Sequence, residues 1–81
     1  MTIDDAVGEL EGHETNTRFQ RLVAICKAFF GTPRIEGSHH IFKTPWPGDP
    51  RINLQSGKGK AKPYQVRQVI KALQRLKDEG G

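Results

Sequence analysis

Two stretches of this chain, residues 17–30 and 63–77, carry apolar side chains at helical spacing on one side only, and this limits the available folds more than any other feature. Phe19, Leu22, Val23, Cys26, Phe29 and Phe30 form one stripe, with Arg18, Arg21 and Lys27 largely off it. Val66, Val69, Ile70, Leu73 and Leu76 form the other, backed by Arg67, Lys71, Gln74, Arg75 and Lys77. A one-sided helix has to bury its stripe against another element. In 81 residues, 35% of them hydrophobic, there is room for one modest core, so both stripes must use it. The ends of both helices are marked. Thr17 and Gln20 have the spacing of a capping box, Gly31 suits a C-cap with Pro33 behind it, and Pro63 suits a first helical position.

The segment between the stripes reads as β structure. Arg34 to Glu36 is a short strand, Gly37-Ser38 a turn, and His39 to Thr44 a second strand. Thr44 to Pro50 holds Pro45, Pro47 and Pro50 and can only be a loop, because proline cannot donate to a ladder. Arg51 to Gln55 then alternates, with Ile52 and Leu54 inward and Arg51, Asn53 and Gln55 outward. Connections this short predict a three-stranded antiparallel meander. Ser56 to Lys62 is a flexible basic loop leading into the second helix. The expected fold is α+β, in the order α-β-β-β-α, with both helices on one face of the sheet. Ahead of it, residues 2–10 are either a short helix, capped by Thr2 and stopped at Gly12, or a frayed segment. Residues 1–16 thus read as an acidic N-terminal extension and residues 17–81 as a single domain.

The net charge of +4 conceals a sharp division: residues 1–16 carry −5 and residues 17–81 carry +9. A compact polycation attracts phosphate polymers, although a basic protein without such a partner has the same composition. The single cysteine excludes an internal disulfide and argues against a cysteine-based zinc site, which fits a reducing cytoplasm. Mean hydropathy is −0.63, and no apolar run nears the roughly 20 residues of a membrane span. The first residues lack the basic and apolar regions of a signal peptide. These features predict a cytoplasmic protein with no membrane partner.

Three features carry chemistry. In Gly37-Ser38-His39-His40-Ile41-Phe42, adjacent strand histidines point to opposite faces. Phe42 assigns the core face to His40, so His39 faces outward beside Ile41 and Lys43. An outward imidazole on a cationic surface suits proton transfer, because histidine as a residue type ordinarily changes charge near neutrality. A bulge at Gly37-Ser38 would exchange the two roles, which leaves His40 as the alternative. The Lys58, Lys60 and Lys62 loop has glycines that let a backbone approach phosphate, and equally reads as a solvated turn. It is no Walker A loop, since neither Gly-Lys pair is followed by Ser or Thr. Trp46, between two prolines, is either a stacking platform for a base or, as a core this small favours, packing at its edge. Cys26 lies in the first stripe and reads as a buried, inert thiol. His13, His39 and His40 have no carboxylate or thiol at ligand spacing, so no metal is expected.

The phrase Gly37 to Lys43, followed by Gly57-Lys58, Lys62-Pro63 and Val66 to Lys71, resembles the HicA family of toxin mRNA interferases, across residues 17–73. Gln55 and Ser56 stand where many relatives carry a histidine. The resemblance implies the fold of double-stranded RNA-binding domains and the toxin half of a type II toxin–antitoxin system. It implies a metal-independent endoribonuclease without cofactor, whose partners are mRNA and a HicB-like antitoxin. The family's catalytic histidine follows Gly-Ser and maps to His39. Ser38, Lys43, Lys58, Lys60, Lys62 and Arg67 are then the expected RNA contacts, with Lys43 and the loop lysines stabilising charge on the reacting phosphate. The rival from another class is a non-catalytic double-stranded RNA-binding domain, which shares fold and charge and needs no histidine. A protein-interaction module indifferent to RNA and salt is a third reading.

Overall fold

Where glycine and proline punctuate the sequence, the elements begin and end. A computed structural model describes residues 1–47, 51–55 and 59–80, in the order α1 (Ile3–Leu10), α2 (Phe19–Phe30), β1 (Arg34–Glu36), β2 (His39–Phe42), β3 (Ile52–Gln55) and α3 (Pro63–Gly80). The fold is α+β, as the two stripes and the alternating centre require. Helix α2 ends at Gly31, which takes a φ of 87° and closes its N–H on the Lys27 carbonyl at 3.1 Å. Pro63 opens α3, which continues past Lys77 to Gly80.

The start of α2 corrects the sequence reading. Thr17 and Gln20 form no capping box: the N-cap is Arg18, without a side-chain cap, and the Thr17 hydroxyl donates to the His13 carbonyl at 2.9 Å. The first turn is tied instead to the chain ahead of α3. The Phe19 N–H donates to the Gly59 carbonyl at 3.0 Å and the Ala61 N–H to the Thr17 carbonyl at 2.8 Å, an antiparallel bridge centred on Arg18 and Lys60. A distant backbone segment has displaced the local cap.

The strands form an antiparallel sheet in the order β1-β2-β3. Gly37, with φ 59°, makes the β1–β2 turn. Strand β2 stops at Phe42 rather than Thr44, just ahead of the proline-rich loop. Of that loop, Gly48, Asp49 and Pro50 lie outside the described residues, as do Ser56, Gly57 and Lys58 of the basic loop. The register puts Ile35, His40 and Leu54 on one face together with Phe42 and Ile52. Helix α2 packs on β2 and α3 on β3, so this is the covered face. Phe42, Leu54, Leu22 and Leu73 are fully buried beneath the helices.

Helix α1 is docked rather than frayed. Thr2 and Asp5 form a true capping box, each side chain satisfying the other's backbone N–H. Ala6 and Leu10 are fully buried in the same core as the rest, largely against α3. Three further buried residues on α2 and α3 escaped the stripe analysis: Ile25, Gln65 and Ala72.

Candidate active site

Strand alternation turns one face of the sheet away from the helices, and the register fills it in rungs. Glu36, His39 and Gln55 make one rung, and Arg34, Ile41 and Asn53 the next. His39 is half-buried on this open face, and His40 lies on the covered one, with no bulge between them. The diagonal neighbour of His39 across the sheet is Asn53, whose side-chain oxygen lies 3.0 Å from His39 Nδ1. The contact orients the ring, and in the tautomer that carries its proton on Nδ1 the ring donates to Asn53 and leaves Nε2 as the acceptor. A ring held this way can accept a proton at Nε2. Glu36 shares the rung, but its carboxylate is engaged by Arg34 at 2.9 Å.

The expected RNA contacts separate into two groups. Ser38 sits exposed in the β1–β2 turn, beside His39. Lys43 continues the open face beyond Ile41, which puts it about 13 Å along the strand from His39 at ~3.3 Å per residue. Lys60 is drawn to the start of α2, where its Nζ donates to Asn16 Oδ1 at 3.3 Å. Lys62 is exposed just ahead of α3, and Arg67 is exposed on it. Lys58 lies outside the described residues. Asn53, Arg34 and Arg51 are the open-face residues missed as site residues. Their outward positions are legible from strand alternation, but their convergence depends on the register.

Other candidates resolve into packing. The His40 ring meets Phe19 edge-on at 5.2 Å, and its buried Nδ1 has no hydrogen-bond partner among the described residues. Trp46 is 9% exposed, packs edge-on against Phe30 at 6.2 Å and carries the Arg75 guanidinium 4.4 Å over its ring. It is a covered edge, not an open platform. Burial pushes the Cys26 thiol up to about 12, so it is no nucleophile at neutral pH.

The acidic segment spends its charge on the helical side. Glu9 holds Arg21 through two contacts of 2.6 and 2.7 Å, which keeps the Glu9 carboxyl below its ordinary value and raises Arg21. Asp4 accepts from Lys77 at 2.6 Å, raising the ammonium. Backbone N–H groups of Glu14 and Gly12 hold the Glu14 carboxyl low, and the charge of Arg67 adds to this. Arg21 and Lys77 are thus paired within the molecule, and Arg34 is paired with Glu36 on the open sheet face.

No family model, curated protein or solved structure matches the chain. Among the described residues there is no cluster of His, Cys, Asp or Glu able to hold a metal ion. No described helix is long and apolar enough to cross a membrane.

Proposed function

We propose that this chain is a metal-independent endoribonuclease of the HicA type, the toxin of a type II toxin–antitoxin pair acting on mRNA in the cytoplasm. The observation that carries the reading is the His39 imidazole on the open sheet face, oriented by Asn53 at 3.0 Å and followed along the same face by cationic side chains. The Gly37-Ser38-His39 phrase supports it independently. In this reading His39 Nε2 takes the proton from a ribose 2′-hydroxyl. The 2′-oxygen attacks the adjacent phosphorus, the bond to the 5′-oxygen breaks, and that oxygen takes a proton from water, whose hydroxide is neutralised by the proton His39 releases. The products are a 2′,3′-cyclic phosphate and a free 5′-hydroxyl. A positioned general base contributes about 10²–10⁴-fold, and the remaining rate comes from holding the strand against the sheet. Asn53 is a positioning residue and touches no substrate.

Incubating the purified protein with an end-labelled transcript in EDTA tests the reading. Cleavage by the wild type, lost in His39→Ala, is the expected result. RNA bound by both proteins and cut by neither supports the double-stranded RNA-binding reading instead. An acidic HicB-like antitoxin is the expected partner, covering the His39 face. Co-expression with the neighbouring open reading frame should give a complex that cannot cleave RNA, and a fully active complex contradicts that mode of silencing.

A further inference from the structure

The chain has four Phe, one Trp and one Tyr, and all but the Tyr belong to the core. Phe19, Phe42 and Trp46 are buried in it, and Phe29 and Phe30 pack against it. Tyr64, the second residue of α3, is 56% exposed. We propose that its ring is a stacking platform for one unpaired base beside the phosphate cleaved at His39, which makes single-stranded RNA the substrate. The inference rests on the nuclease reading for what happens at His39, while the platform itself stands on the exposure and placement of the ring.

One exposed aromatic is ordinary on a protein surface, so its position decides. The Tyr64 hydroxyl accepts from Gln65 Nε2 at 3.4 Å, and the same nitrogen donates to the Gln55 carbonyl at 3.4 Å. Two such contacts through one nitrogen keep the hydroxyl within about 7 Å of the Gln55 carbonyl. Gln55 is the direct partner of His39 in the β2–β3 ladder, where facing Cα atoms lie about 4.5–5.5 Å apart. Gln65 is fully buried, so the link from ring to strand runs through a fixed side chain. Tyr64 is thereby tethered beside β3 at the end of the sheet that carries His39. Both contacts use the hydroxyl end, and more than half of the residue stays open to solvent.

An aromatic ring holds a base through its π face, which every base offers, so the platform sets the register of the strand without reading its sequence. A base inside a duplex has both faces covered by its neighbours and cannot stack on Tyr64 until it is unpaired. A double-stranded RNA-binding domain reads A-form shape and has no use for such a ring. A single strand lying across the His39 rung, over Gln55 and past the β3 edge, reaches the ring directly after the imidazole. Holding that base fixes which phosphate lies at Nε2.

Tyr64 is the one tyrosine, so its ring signals in an NMR spectrum are unambiguous. The full chain is titrated with 2′-O-methyl oligonucleotides, which cannot be cleaved, either intact or with a single abasic position moved along the strand. The Tyr64 ring protons should shift upfield with the intact strand and stay in place for one abasic position. A duplex of the same sequence should leave them unmoved. By anisotropy, Tyr64→Ala should bind the intact strand about ten-fold more weakly, as for one lost stack, and Tyr64→Phe should bind as the wild type does. The strand abasic at that one position should bind wild type and Tyr64→Ala alike. As an exposed change, Tyr64→Ala should move Tm by no more than about 2–4 °C. The ring shift needs no variant, so a misfolded Tyr64→Ala leaves the test standing. Ring signals that stay put while the strand binds, or a folded Tyr64→Ala of wild-type affinity, overturn the platform even if His39 cleaves RNA. So does a strand that fails to bind at all. The shift with its abasic pattern supports the platform even if the wild type cuts nothing in EDTA. Tyr64→Ala that sheds the co-expressed antitoxin yet binds RNA normally overturns it in favour of a protein contact.

Discussion

Replacing His39 and His40 one at a time separates chemistry from packing, because the two rings occupy opposite faces of one strand. His39→Ala removes a half-buried ring and its hydrogen bond to Asn53. Asn53 is exposed and turns to water, so the stability loss stays near the low end for a hydrogen bond, about 0.5 kcal/mol. The rate should nevertheless fall by at least about 10²-fold, the lower contribution of a general base. For His40→Ala, two effects oppose each other. The edge-on contact with Phe19 at 5.2 Å is lost, and such pairs are worth about 0.5–1.5 kcal/mol beyond the area they bury. Removing the ring from its groove beside α2 adds about 1 kcal/mol of lost burial. Against this, the variant no longer buries an unpaired Nδ1, a relief of about 1 kcal/mol. The net loss is about 1 kcal/mol, or about 4–8 °C in Tm for a domain this size. His40→Phe keeps a ring against Phe19 and discards the orphan nitrogen, so it should melt at or above the wild-type temperature. Initial cleavage rates in EDTA, with melting curves for all three variants, read both quantities. A folded, inactive His40→Ala beside an active His39→Ala would refute the assignment of roles, and normal cleavage by both alanine variants would remove histidine as the catalytic base.

Three other outcomes follow from the same geometry. Leu10→Ala should cost about 2–5 kcal/mol, as for a fully buried leucine, followed by Trp46 fluorescence in urea; a loss under about 0.5 kcal/mol would mean α1 stands outside the cooperative unit. With its thiol pushed up to about 12, Cys26 should react with an aromatic disulfide only as fast as the protein opens, and prompt labelling of the native state contradicts its burial. Glu9 has its carboxyl held low by Arg21, so the pair adds stability above the ordinary carboxylate range and loses it as pH falls through the lowered value. Glu9→Gln should therefore cost at most about 1 kcal/mol near pH 7 and nothing in strong acid, and a difference independent of pH would rule the ion pair out as its source.

The parts of the fold legible in the sequence are those fixed by near neighbours. The stripe from Val66 to Leu73, the stop at Gly31 and the inward Ile52 and Leu54 all follow from periodicity or from one residue's backbone freedom. The start of α2 was misread because its first N–H is satisfied by Gly59, forty residues away, which no local pattern reveals. Gln65 escaped for a related reason: its amide donates to the Gln55 carbonyl at 3.4 Å, at the end of β3. The candidate site divides in the same way. Alternation alone turns His39 outward, but the His39–Asn53 contact spans β2 and β3 and requires the register. The outward position of Lys43, on the same face as His39 and Ile41, likewise follows from alternation.

The docking of α1 also decides when this domain can close. Asp4 holds Lys77 across 73 residues, and Leu10 shares a core with Leu73. A chain made from its amino end releases α1 first, as an eight-residue amphipathic helix too short to persist alone in water. At roughly 5–20 residues per second, several seconds pass before α3 emerges to receive it. Until then the growing sheet also lacks one of its two covering helices. Closure of the core therefore waits on α3, which must be made before α1 has a surface to dock on.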